Sequence, residues 1–123
     1  MTSTVEDLEK WDQAVRQPGI FTRASLTQML TPGPFATDVG AYADGWFVSS
    51  LDQHRYLWHD GALGGFQTIN ATFPDDGIDI IVLMNSGTGV GPYAAMPQLF
   101  AAALTFPRRD LNPMAQIGGT RDV

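Results

Sequence analysis

His59 is the side chain in this sequence best suited to acid–base work, because an imidazole changes charge near neutrality and can serve as base, acid or electrostatic support. A histidine at a strand end can equally be a hydrogen-bonded structural residue, so its surroundings decide its role. Those surroundings are Tyr56-Leu57-Trp58-His59-Asp60-Gly61-Ala62-Leu63-Gly64-Gly65-Phe66. His54 stands five positions earlier. Strand side chains alternate, so the two imidazoles point to opposite faces and a shared metal is disfavoured. Asp60 turns away from His59 for the same reason. Asp75 and Asp76 lie between Pro74 and Gly77, where aspartate serves local turn hydrogen bonding rather than paired acid–base catalysis. The glycines Gly87, Gly89 and Gly91 lack the Lys-Ser/Thr that completes a phosphate loop, and read as a linker. The absence of cysteine removes disulfides, zinc–thiolate sites and thiol nucleophiles together.

The elements that must hold His59 follow from periodicity. Residues 56–59 alternate as a strand, and Gly61, Gly64 and Gly65 are expected to break the run. A second strand resumes over Phe66 to Phe73, Pro74-Asp75-Asp76-Gly77 turns the chain, and Ile78 to Met84 runs back, which gives an antiparallel meander. Upstream, Ser3-Thr4-Val5-Glu6 reads as a capping box with Ser3 as the cap. Leu8, Trp11 and Val15 then recur at helical spacing until Pro18-Gly19. Thr22 caps a second helix whose Leu26, Met29 and Leu30 share a face, and Thr31-Pro32-Gly33-Pro34 ends it. Residues 31–41 read as a loop. Tyr42 to Val48 reads as one further strand with Trp46 and Val48 on one face, bent at Asp44-Gly45. A closing helix is expected from Pro97, where a first-turn proline is tolerated.

At 123 residues the chain suits one small domain, and 44% hydrophobic with 16% charged residues argues for a folded body rather than disorder. A formal net charge of −6 with scattered Lys and Arg argues against nucleic acid as a partner. No run reaches the ~20 apolar residues of a membrane helix, and the acidic start does not read as a signal peptide. No compartment follows from this. No cofactor is expected.

Several segments occur together in a telling order: Ser3 to Trp11, Ser25-Leu26-Thr27-Gln28-Met29-Leu30-Thr31-Pro32, Asp44-Gly45-Trp46-Phe47-Val48, His59-Asp60-Gly61 with Gly64-Gly65-Phe66, Phe73-Pro74-Asp75-Asp76-Gly77 and Ile81-Val82-Leu83-Met84-Asn85. Together they resemble the C-terminal part of the serine β-lactamase-like hydrolases, the group that holds class C-like enzymes, penicillin-binding proteins and esterases. The resemblance implies that His59-Asp60-Gly61 is the His-x-Gly form of that family's third active-site motif. His59 would then support the nucleophile's hydrogen-bond network and the substrate carboxylate. Gly61 would keep the strand surface clear for an acyl group, and the backbone N–H of Ala62 would be one of two oxyanion-hole donors.

The sequence also departs from that family. Neither Ser-x-x-Lys nor Tyr/Ser-x-Asn is present, and the only lysine, Lys10, has Asp7 three places before it. The resemblance therefore implies an inactive chain when alone, with a small-molecule acyl substrate only in a complete protein. The expected fold is α+β: an antiparallel sheet of about four strands, two N-terminal helices and a C-terminal helix. Residues 1–107 are assigned to a β-lactamase-like segment and 108–123 to a polar, loosely held tail. Leu8 and Trp11 are expected to have lost an apolar partner. The competing reading is a non-catalytic binding or assembly module that pairs, as a homo-oligomer or otherwise, through an exposed sheet edge.

Overall fold

A computed structural model describes residues 2–17, 19–87, 89 and 91–105, so the tail assigned to 108–123 lies outside the described residues. Helix α1, Val5–Arg16, opens on Thr4, whose hydroxyl accepts from the Asp7 N–H at 3.2 Å. The cap is thus one residue later than the expected Ser3, which turns its hydroxyl to the Thr4 carbonyl instead. The Glu6 carboxyl is held below its usual range by its own backbone N–H and the Thr4 hydroxyl rather than by the N–H of Ser3, so the expected Ser3–Glu6 box does not form. Helix α2, Arg23–Met29, is capped by Thr22, whose hydroxyl accepts from the Ser25 N–H at 3.1 Å.

The sheet has six strands in the order β1-β2-β3-β4-β5-β6, all neighbours antiparallel: β1 Ala36–Thr37, β2 Gly40–Tyr42, β3 Phe47–Leu51, β4 His54–Leu63, β5 Phe66–Phe73 and β6 Ile78–Met84. This corrects the expected four or so. Residues 31–41 contain β1 and two of the three residues of β2, strands too short for an alternation to register. The expected strand from Tyr42 to Val48 is two strands, because Gly45 takes a positive φ of 87° and Ala43 N–H bonds back to the Trp46 carbonyl at 2.7 Å. A further turn sits at Asp52-Gln53, both at positive φ (48° and 72°), and carries none of the glycine that marks such turns in a sequence. Gly61 does not break β4 either. The strand runs to Leu63, and the reversal waits for Gly64-Gly65, with Gly65 at φ 92°.

Side chains of this sheet sort into two layers. Tyr56 and Trp58 of β4, Ile69, Ala71 and Phe73 of β5 and Ile80 of β6 face helix α3, Met96–Thr105, and meet its Met96 and Phe100 in one buried cluster. A 3-10 turn, Pro92–Ala95, leads into α3, which begins one residue before Pro97 and so keeps that proline in its first turn. The opposite face buries Leu57 and Trp46 against Val15 of α1, with Met29 and Leu30 beside them. Trp46 and Val48 share this face, as their spacing predicts.

Of the stripe Leu8, Trp11 and Val15, helix α1 fully buries only Val15. Asp12 and Val15 are its buried residues, whereas Trp11 is 42% exposed and turns its ring edge to Phe21 at 5.8 Å. Leu8 is half-buried.

Candidate functional site

The register of β4 sets the geometry of the His-Asp-Gly run. His59 pairs with Asn70, Asp60 with Ile69, Gly61 with Thr68, Ala62 with Gln67 and Leu63 with Phe66 across to β5. On its other side β4 is paired to β3 only through Trp58, which stands opposite Phe47, the first residue of β3. Among the described residues, 59–63 therefore have an open edge. Backbone groups along an antiparallel strand point alternately to one neighbour and the other. The two-residue turn at Gly64-Gly65 makes Leu63 and Phe66 a hydrogen-bonded pair, so Leu63, Gly61 and His59 bond to β5. The N–H and C=O of Asp60 and Ala62 are left to face the open edge.

One of these outward groups is used locally. His59 Nδ1 lies 2.6 Å from the Asp60 carbonyl oxygen, and since a carbonyl only accepts, Nδ1 carries the hydrogen. In the neutral imidazole Nε2 is then the acceptor for the Tyr42 hydroxyl, 3.2 Å away. Tyr42 is held by the ring of Phe47 at 4.8 Å, and Phe47 stacks on Trp58 at 4.8 Å, so a chain of aromatic contacts runs from the core to the imidazole. His59 itself is exposed. Gly61 has its own reason to be glycine: a Cβ there would stand 2.8 Å from the Thr68 hydroxyl. Ala62 is exposed and offers its backbone at the edge.

The fold brings His59, Gly61 and Ala62 to one stretch of open edge and separates them from the other candidates. His54, at the far end of β4, places Nδ1 2.9 Å from both carboxylate oxygens of Asp76 and its ring 5.0 Å from Phe100. Asp76 thus does more than turn chemistry. Among the described residues no group of three or more His, Cys, Asp or Glu side chains is placed to hold a metal ion. No helix there is long and apolar enough to cross a membrane.

Residues 1–105 match the family described as Beta-lactamase. The chain belongs to that family. Over 93 residues it is 30% identical to unguisins hydrolase ungD' of Aspergillus campestris (strain IBT 28561), a match covering 68% of this chain and 17% of that protein. The fold of this beta-lactamase-family chain is also that of a penicillin-binding protein from Bacillus halodurans, with a TM-score of 0.68 at 21% identity over 80% of this chain and 30% of that one. It therefore spans less than a third of either protein.

A second polar group under α1 was missed in the sequence. Asp12 is fully buried and accepts from Asn70 Nδ2 at 2.8 Å, while Arg16 Nη2 meets Asp79 Oδ2 at 2.7 Å. Burial pushes the Asp12 carboxyl up to about 7; the Asn70 hydrogen bond and the Arg16 charge oppose that, and the Asp79 charge adds to it. Asn70 is the register partner of His59, so this network anchors α1 one strand away from the open edge. The available signal was an acidic residue at the position between Leu8 and Val15, on the apolar stripe of the helix.

Proposed function

We propose that residues 1–107 are the C-terminal segment of a serine hydrolase that opens an ester, amide or β-lactam through an acyl-enzyme, and that β4 supplies one wall of its active site. The carrying observation is the open edge at residues 59–63, where the register of β4 leaves the Ala62 N–H without a strand partner among the described residues, beside a glycine and an imidazole. An N–H preorganised in this way, aimed at a developing oxyanion, contributes about 3 to 4 kcal/mol to an acyl-transfer transition state. Gly61 leaves room for the acyl group, and His59, with its hydrogen on Nδ1, offers Nε2 to a hydroxyl. Tyr42 holds that nitrogen in this chain. In the complete site the nucleophile's own network would compete for it. The match to a hydrolase and the small share of each relative that the chain spans support this reading. The nucleophile, the lysine beside it and the second oxyanion donor would come from sequence outside these residues.

The chain alone is expected neither to hydrolyse a chromogenic cephalosporin or p-nitrophenyl ester above buffer nor to be labelled by a fluorophosphonate. A protein extended through the upstream reading frame to include Ser-x-x-Lys is expected to do both. In that longer protein Ala62→Pro removes the N–H and should lower kcat by about 10²- to 10³-fold, while Ala62→Gly keeps it. An upstream frame without Ser-x-x-Lys, or unchanged turnover in Ala62→Pro, would sink the proposal.

A second reading has an observation of its own. β6 is an unpaired edge among the described residues, seven residues long, and six of them are apolar: Ile78, Ile80, Ile81, Val82, Leu83 and Met84. Such an edge is a template for strand addition, which suits an assembly module.

A further inference from the structure

A cleft of about 380 Å³ opens between the end of α1, α2 and the start of β4, on the side of the sheet away from α3. Its apolar lining includes Leu26, Leu30 and Leu57. Its polar lining is Arg16, Arg23 and Arg55 with Thr27 and Thr31, and among the described residues no carboxylate lines it. The described residues hold four Lys or Arg side chains in all, and the fourth, Lys10, is paired with Asp7 at 3.0 Å on the surface of α1. Three of the four described cations thus converge on one cleft. Arg16 is committed to Asp79. Arg23 and Arg55 make no ion pair with any described residue.

Two guanidinium groups without carboxylates are a site for an anion, since each presents a planar fork that fits a carboxylate with two parallel hydrogen bonds. The leucine lining asks for more than a bare ion, because removing a ligand's apolar surface from water there adds to its binding. We infer that this cleft binds a small organic carboxylate carrying an apolar body, with the carboxylate between Arg23 and Arg55 and the body against Leu26, Leu30 and Leu57. The cleft is separate from the His59 edge. Arg55 and His59 are four residues apart on β4, roughly 13 Å at the rise of an extended strand. The inference accordingly stands or falls independently of the acyl-enzyme reading.

Octanoate below its micelle concentration is the probe, titrated into the chain while backbone amide resonances are followed by NMR. Saturable shifts are expected at Leu26, Thr27 and Leu57, with none at the exposed hairpin tip Leu63 and Phe66. Arg23→Gln/Arg55→Gln should weaken binding tenfold or more, and each single variant should weaken it by less. Both arginines are exposed and unpaired among the described residues, so the variants should keep the native spectrum, and the single variants carry the test if the double does not. Acetate, which has the charge without the body, and 1-octanol, which has the body without the charge, should each bind at least tenfold more weakly. Octanol binding as tightly as octanoate would reduce the cleft to a greasy surface, and equal binding of acetate would reduce it to an anion site; either overturns the inference. So do unchanged affinity in the arginine variants and the absence of saturable shifts at the cleft.

Discussion

Trp58 and His59 are consecutive on β4 and experience opposite environments, because a strand sends neighbours to opposite faces. Trp58 is 3% exposed, stacks on Tyr93 at 4.4 Å and donates its indole N–H to Ser49 Oγ at 3.0 Å. Trp58→Ala should cost about 3 to 5 kcal/mol of stability. His59→Ala, at an exposed position, should change stability by less than about 0.5 kcal/mol. Denaturant melts of the two variants check this, and a His59→Ala loss above about 2 kcal/mol would make His59 a structural residue instead. Asp12 makes a pH prediction. Burial holds its carboxyl at about 7 against an ordinary 3.8, so between those values the folded chain keeps a proton that the unfolded chain has released. The stability this group contributes is complete below its unfolded pKa and is lost as pH rises through the folded one. The loss is at most on the order of 4 kcal/mol, at about 1.4 kcal/mol per unit of pKa difference. Between pH 5 and 8 the melting temperature of the native chain should therefore fall relative to that of Asp12→Asn. Parallel profiles for the two would show that Asp12 ionises freely in the folded chain.

At the scale of elements, the turns decide more than the strands do. Gln53 sits at φ 72°, in the left-handed region that costs a residue with a Cβ roughly 1 kcal/mol. Gln53→Gly should thus stabilise the β3–β4 hairpin by about that amount. Gly40 has the opposite expectation. Its φ is 133°, and a Cβ there would stand 2.6 Å from the Val48 carbonyl oxygen, a backbone atom that cannot swing aside. Gly40→Ala should cost about 1 to 3 kcal/mol by forcing β2 off β3. Urea midpoints that move in opposite directions for the two variants would bear this out, and movement in the same direction would contradict it.

For the whole molecule, the two edges of the sheet differ in kind. β1 is a two-residue strand and is blunted by its shortness, whereas β6 is long and apolar. Self-association through β6 is the expected behaviour of the isolated chain. Sedimentation at increasing concentration should show a dimer or larger species, and Ile81→Lys or Leu83→Lys, on the face away from α3, should reduce it. A strict monomer at high concentration, with β6 amides protected from exchange, would count against this.

Much of this was legible because it is written locally. Alternation marked the strand at Phe66 to Phe73, and an apolar run after the Pro74–Gly77 turn marked the one at Ile78 to Met84, each within a residue, because both signals are carried by neighbouring side chains. Thr22 announced its helix because a cap is a contact between residues three apart. The order of the short motifs, from Ser25-Leu26 to His59-Asp60-Gly61, sufficed for the family. What stayed hidden depends on residues distant in the chain. β1 and β2 exist through pairing with each other and, for β2, with β3 rather than through their own pattern, and Asp12 is buried because Asn70, 58 residues on, receives it. The open edge at residues 59–63 is of the same kind. It is created by the point at which β3 begins, and no property of the His-Asp-Gly run itself could reveal which of its backbone groups the sheet would leave free.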